Sequence, residues 1–286
     1  MKLSIKKSGQ ALLVVVLVMA VMLTVTLSVV SRSVTDISVT TREEESIRAF
    51  SAAEAGIEEV LIQNLGVGGN ISTTLDSGEV PTTYDVSVSG FPNATTNYNY
   101  PQEILMGDAA TIWFMDHDAS GNLVCPSCFT GPQVRLCWGK PASAQTPAVE
   151  MSLVYEQGGE YHVAREVYDS VSGRTPGSVS PGGTCTIDGQ TYSYSQTIRF
   201  NPDFGFNASN SDPLVMMRVK MLYNSDTSQT LGVQSVGGNM PQQGRRIESL
   251  GSAGEQSRKV EVYELYPSLP AIFDTAIFSQ AGGLAK

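Results

Sequence analysis

"KKSGQALLVVVLVMAVMLTVTLSVV", Lys6 to Val30, decides how the chain is read. Two lysines and a Ser-Gly-Gln junction stand directly before Ala11 to Val30, a segment without a single charge. Twenty helical residues at 1.5 Å each span about 30 Å, the thickness of a hydrocarbon core. Leu, Val and Met dominate, with Thr24, Thr26 and Ser28 near the end. Lys2, Lys6 and Lys7 precede the segment, while Arg32 and Asp36 follow it. The positive-inside rule therefore expects the N-terminus in the cytoplasm and everything after about residue 31 outside.

Three readings of this segment compete. A secretory signal peptide has a shorter apolar region and a small-x-small cleavage site, and "SVVSRS" is a poor one. An uncleaved signal anchor fits the hydropathy. The third reading rests on Gly9, a small residue at the boundary between basic and apolar parts. A protease at the membrane surface that cut after Gly9 would remove the lysines and leave Gln10 at the head of a bare apolar helix. Such a helix can leave the bilayer far more cheaply than one led by lysines.

Helical character continues past residue 30. Val30, Val34, Ile37, Ile47, Phe50, Ile57, Leu61 and Leu65 recur at multiples of three to four, with charges between them. Helix formers dominate "TREEESIRAFSAAEAGIEEVL", and Arg48 stands four residues after Glu44. Breakers arrive in "NLGVGGN". The pattern predicts one helix over 10–65, about 80 Å long. Its transmembrane half is 11–30 and its amphipathic half is 31–65.

From about residue 71 the period changes to two. "TYDVSVSG" puts Tyr84, Val86 and Val88 on one face. "MSLVYEQGGEYHVAREVY" predicts a hairpin turning at Gly158-Gly159. "PLVMMRVKMLY" alternates Val215, Met217, Val219, Met221 and Tyr223 against Arg218 and Lys220. "RRIESLGSAGEQSRKVEVYEL" predicts a second hairpin with a longer loop. No internal repeat or second domain boundary is visible. The expected fold class is α+β: the long N-terminal helix packed on an antiparallel, β-rich head domain over 66–286.

Only 16% of the 286 residues are charged and the net charge is −10. Removing the three leading lysines would leave 15 basic against 28 acidic side chains. Such a surface opposes non-specific binding to nucleic acid, and no nucleic-acid partner is expected. Cys125, Cys128, Cys137 and Cys185 are even in number, which in an extracytoplasmic domain favours two disulfides with three connectivities open. "CPSC" also permits zinc or redox readings, but zinc lacks a second close ligand pair and the flanking residues look like strands and a loop. No metal or cofactor is expected.

Catalytic signals are thin. His117 and His162 are the only histidines, in a turn and in a strand by pattern. "DHDASGN" alternates oxygen ligands as calcium loops do, without the closing Glu, and reads as a hairpin turn. There is no GxSxG, HExxH or phosphate-binding loop, so no enzymatic activity is expected. Asn70, Asn93 and Asn207 head N-x-S/T triplets that a Ser/Thr-rich chain produces by chance.

The basic leader ending at Gly9, the apolar segment and the amphipathic extension together resemble the class III signal of type IV prepilins. "SGQALLVVVLVMAVML" followed by "FSAAEAGIEEVL" is similar in particular to PilX-like minor pilins, which carry an "AAEAG" element in the second half of the first helix. The resemblance covers roughly residues 5–65, and more weakly the strand-rich "RRIESLG…RKVEVYELYPSLPAIFD". It implies a leader over 1–9, cleavage between Gly9 and Gln10 by a prepilin peptidase, and methylation of the new amine. It implies a head outside the membrane and assembly with other pilin subunits and the pilus machinery, often at an initiating or tip position. Two positions depart from major pilins: Gln10 stands where Phe is usual, and Val14 where a Glu is usual. The competing expectation is an uncleaved single-pass anchor carrying an extracellular binding or adhesion domain, and a secreted enzyme is the weakest of the three.

Overall fold

In the computed structural model, residues 8–75, 81–93, 95–126 and 128–270 are described. The expected fold class holds, a long N-terminal helix followed by antiparallel sheets. Helix α1 spans Ser8–Gln63 and is succeeded by β1 (Asn70–Leu75) and β2 (Thr82–Phe91). Next come β3 (Asn97–Asn99), β4 (Ala109–Trp113), β5 (Asp116–His117), β6 (Leu123–Val124) and β7 (Gln133–Trp138). β8 (Ala148–Gln157), β9 (Glu160–Tyr168), β10 (Cys185–Ile187), β11 (Gln190–Tyr192) and β12 (Tyr194–Arg199) follow. A short α2 (Phe200–Phe204) leads to β13 (Leu214–Leu222), β14 (Leu231–Val236), β15 (Gly244–Ala253) and β16 (Gln256–Leu265).

Contacts divide the chain into two compact units, one of residues 1–87 with 248–262, the other of 88–247 with 263–286. The first holds α1 and most of a four-stranded sheet ordered β1-β2-β15-β16. The buried face of α1 is Ala49, Ala52, Ala53, Gly56, Ile57 and Val60, the spacing of one helical stripe. This corrects the expected stripe. Of its members after residue 40, Ile57 is buried, Leu65 half-buried, and Ile47, Phe50 and Leu61 are exposed.

The reason is steric. A Cβ on Gly251 of β15 would strike the carbonyl oxygen of Ala49 and come within 2.5 Å of the Ala53 nitrogen. A Cβ on Gly56 would lie 2.5 Å from both Ser249 Oγ and Val86 Cγ2. Sheet and helix meet backbone to backbone, which only small side chains allow. Larger apolar residues fall outside that seam. The β15–β16 hairpin is also tied to the helix: the Glu255 amide donates to Glu45 Oε2 at 3.2 Å, and Arg258 Nε of β16 donates to Ser46 Oγ at 2.8 Å. The hairpin's turn has two residues, Gly254 and Glu255, instead of the longer loop expected. On the exposed side, Arg48 pairs with Glu44 at 2.6 Å, as their spacing predicts.

The second unit contains two four-stranded sheets, β12-β7-β14-β3 and β4-β13-β8-β9, sharing one core. Leu136, Trp138 and Val233 enter it from the first, and Ile112, Met151 and Met217 from the second. The β8–β9 hairpin turns at Gly158 (φ 64°) and Gly159 (φ 85°), left-handed positions that glycine adopts without strain. In β13, Val215, Met217, Val219 and Met221 are buried as the alternation predicts. Arg218 departs from it. β13 is flanked by β4 and β8, and the buried guanidinium donates to Thr111 Oγ1 at 2.8 Å. Tyr223 lies beyond the strand with φ 61° and is exposed, its ring 4.1 Å beneath Arg174.

The backbone seam makes a sharp prediction. Gly251→Ala forces a methyl into the Ala49 carbonyl and is expected to cost about 2–3 kcal/mol in urea unfolding of the full chain. Gly66→Ala, with nothing within 4 Å, is the control and changes stability little.

Candidate functional site

The apolar half of α1 is the part of the molecule with the clearest physical demand on its surroundings. Fifteen large apolar side chains between Leu12 and Val30 are exposed, by 43% to 71%. At roughly 1–2 kcal/mol each, keeping them in water costs on the order of 20 kcal/mol. That exceeds the typical net stability of a whole domain, about 5–15 kcal/mol. This helix is long and apolar enough to cross a membrane. Both threonines of the apolar half are satisfied internally: Thr24 Oγ1 donates to the Val21 carbonyl at 2.8 Å, and Thr26 Oγ1 to that of Met22 at 2.7 Å. Self-satisfied hydroxyls are what a lipid environment requires.

Gly9 and Gln10 both fall within α1. Lys2, Lys6 and Lys7 lie outside the described residues. Val14 is exposed at 57%, one face of an unbroken apolar surface, and the first carboxylate along the helix is Asp36. C-terminal to the apolar half, Ile47, Phe50 and Leu61 form a second exposed strip beside the small-residue seam.

The cysteines form two disulfides, Cys125–Cys128 and Cys137–Cys185. The second ties the β10–β11 hairpin to β7 and packs with buried Ile187 and Tyr192. "DHDASGN" is the β5–β6 hairpin. Asp118 Oδ1 accepts from the Ser120 and Asn122 amides, both at 2.8 Å, and its Oδ2 accepts from Asn122 Nδ2. Hydrogen bonding from Asn122 holds the Asp118 carboxyl below its ordinary pKa. His117 stacks on Tyr266 at 3.8 Å, and burial lowers its pKa against the opposing pull of Asp116 and Asp118. His162 stacks on Tyr155. Each histidine is thus packed against an aromatic ring.

Asp169 is the buried carboxylate of the Gly- and Ser-rich loop after β9. Burial alone would raise its pKa, but Arg174 through two hydrogen bonds (2.6 and 2.9 Å), the Val171 amide and Thr175 outweigh burial and hold it low. The pair organises the loop.

One feature of the second unit escaped the sequence reading. "NYNYPQE", Asn97 to Glu103, begins by alternating amides with aromatic rings, and it lines a cavity of about 620 Å³ beside the edge strand β3. The alternation was the available signal; aromatic residues at strand spacing more often mean core. No known protein-family model, characterised protein or solved structure matches the chain.

The disulfides differ in what they constrain. Cys137–Cys185 closes a separation of 48 residues, and Cys125–Cys128 one of 3. Replacing Cys137 and Cys185 by Ala is expected to cost about 2–4 kcal/mol in denaturant unfolding, and replacing Cys125 and Cys128 about 1 kcal/mol, since loop-closure entropy grows with loop length.

Proposed function

We infer that this protein is a minor pilin-like subunit of a type IV pilus or related pseudopilus, non-enzymatic and assembled through α1. The observation that carries the reading is the bare apolar half of α1, directly continuous with a half whose small residues hold a sheet. A helix of this kind needs cover along its whole first half, and lipid and sister helices both supply it. The Ser8-Gly9-Gln10 junction and the "AAEAG" of residues 52–56 add the resemblance to PilX-like minor pilins.

The proposed sequence of events follows from charge. With the leader attached, Lys2, Lys6 and Lys7 hold the N-terminus in the cytoplasm and the rest of the chain outside. Moving them through the bilayer centre would cost about 3 kcal/mol each on insertion scales. Cleavage by a prepilin peptidase after Gly9 removes that barrier and leaves the amine of Gln10, which methylation would further modify. The freed helix then leaves lipid for a bundle of apolar helices. Ile47, Phe50 and Leu61 extend the sticky surface beyond the membrane half.

Val14 sets the position in the assembly. A carboxylate there would pair with a neighbouring subunit's terminal amine in a low-dielectric site. This chain offers an amine but no carboxylate at that position. It suits an end of a filament, the initiating or tip place, better than the middle.

The test is the mature N-terminus, read by mass spectrometry of the protein co-expressed with a prepilin peptidase. A chain beginning at Gln10, and loss of processing in Gly9→Leu, are expected. A chain that keeps Lys2 to Gly9 in the presence of active peptidase contradicts the reading and leaves an uncleaved anchored surface domain.

A further inference from the structure

We propose that the second unit carries a binding site for a neutral saccharide, in the cavity beside β3. The cavity, about 620 Å³, lies within the range of small-molecule sites. Its apolar wall is a connected run of four aromatic rings. Phe91 meets Tyr263 edge-on at 4.6 Å and Tyr98 at 5.6 Å, and Tyr98 meets Tyr100 at 6.3 Å. Its polar wall includes the amides of Asn93, Gln102 and Gln190. Aromatic faces beside amides match a sugar ring, which presents C–H faces to one side and hydroxyls around its rim.

Two hydroxyls lie unpaired behind the lining. Among the described residues, the buried Tyr98 hydroxyl and Thr230 Oγ1 find no hydrogen-bond partner in the protein, and both residues line this cavity. Tyr98 is only 1% exposed. Buried hydroxyls without partners are rare because leaving them unpaired is costly. Asn99, also in the lining, is satisfied: its Oδ1 accepts from the Tyr192 hydroxyl at 2.7 Å, and its Nδ2 donates to the Ile187 carbonyl at 3.2 Å. Neither orphaned hydroxyl opens into the cavity, so its recognition groups are the exposed amides of Asn93 and Gln102, the half-buried Gln190 and the rings of Phe91, Tyr100 and Tyr263.

Charge argues for a neutral ligand. Glu103 is bound by Lys140 at 2.7 Å and by Ser228, and Asp188 Oδ1 accepts from Asn97 Nδ2 at 2.6 Å. Arg246, also in the lining, has an interaction of its own. The cavity thus offers amides and rings as its recognition chemistry. An extended peptide added to β3 is the rival occupant, but that strand has only three residues and its neighbours are rings and amides rather than an open ladder.

The site stands apart from the processing of α1, so it is tested on the full chain whether or not Gly9 is cut. The protein is held in a zwitterionic detergent free of sugar. Lactose, cellobiose, maltose and diacetylchitobiose are titrated against it by saturation-transfer NMR and calorimetry, with a β-strand heptapeptide as comparison. At least one disaccharide is expected to bind, with Tyr100→Ala abolishing binding. Gln102→Ala removes an exposed amide from the lining. It is expected to weaken binding about tenfold or more while leaving the unfolding temperature unchanged or raised. Gln190→Ala is expected to behave the same way. Overturning results are no binding by any of the four sugars, capture of the peptide alone, Gln102→Ala binding as tightly as the parent, or Gln102→Ala unfolding at a markedly lower temperature.

Discussion

A main-chain contact governs the first unit. Gly251 of β15 lies so close to Ala49 and Ala53 of α1 that no side chain fits between them. That contact fixes which face of the helix is covered, residues Ala49 to Val60, and so fixes which faces are not. The Glu45 and Ser46 contacts to the β15–β16 hairpin mark the N-terminal limit of the docked region. Between Leu12 and Val39 the large apolar side chains are all exposed.

The two halves of α1 thus answer opposite demands with the same backbone. The docked half spends its buried face on alanine and glycine, which gives close approach and dispersion contact but little apolar area per residue. The free half keeps leucine, valine and methionine on every side, which a soluble environment cannot accommodate. Continuity between them matters, because a rigid helix held firmly at one end presents its other end in a defined direction. In the proposed pilin-like reading, that is the difference between a floppy membrane tether and a part that can be packed among identical rods.

Legibility in the sequence followed physical cause. The apolar segment, the helix and the β8–β9 hairpin were readable because each rests on a local pattern: a run without charge, helix formers, and Gly158-Gly159 between alternating strands. The buried helix stripe was not, because hydropathy weights Ile47, Phe50 and Leu61 above Ala49, Ala52 and Ala53, whereas the sheet's proximity selects by size. Arg218 misled in the same way: alternation assigns its face to solvent, yet the side chain is buried and donates to Thr111 Oγ1. Pairing of Cys137 with Cys185 needed the fold, since only the β7 and β10 placement separates it from the other connectivities. The division into two units has no compositional mark, because it is made by strands that arrive from distant parts of the chain. The orphaned hydroxyls of Tyr98 and Thr230 were invisible for a simpler reason: an unpaired atom is defined by what surrounds it.

The central claim is that the free half of α1 ends among other helices and not only among lipids. Photo-crosslinking from Val16 in native cells tests it most directly. A photoreactive residue at this position, exposed on the apolar surface, would report its neighbour. The account predicts a crosslinked product containing the apolar N-terminal helix of a second pilin-type chain, appearing only when the peptidase is active. Crosslinks to lipid alone, unchanged by the peptidase, would contradict it.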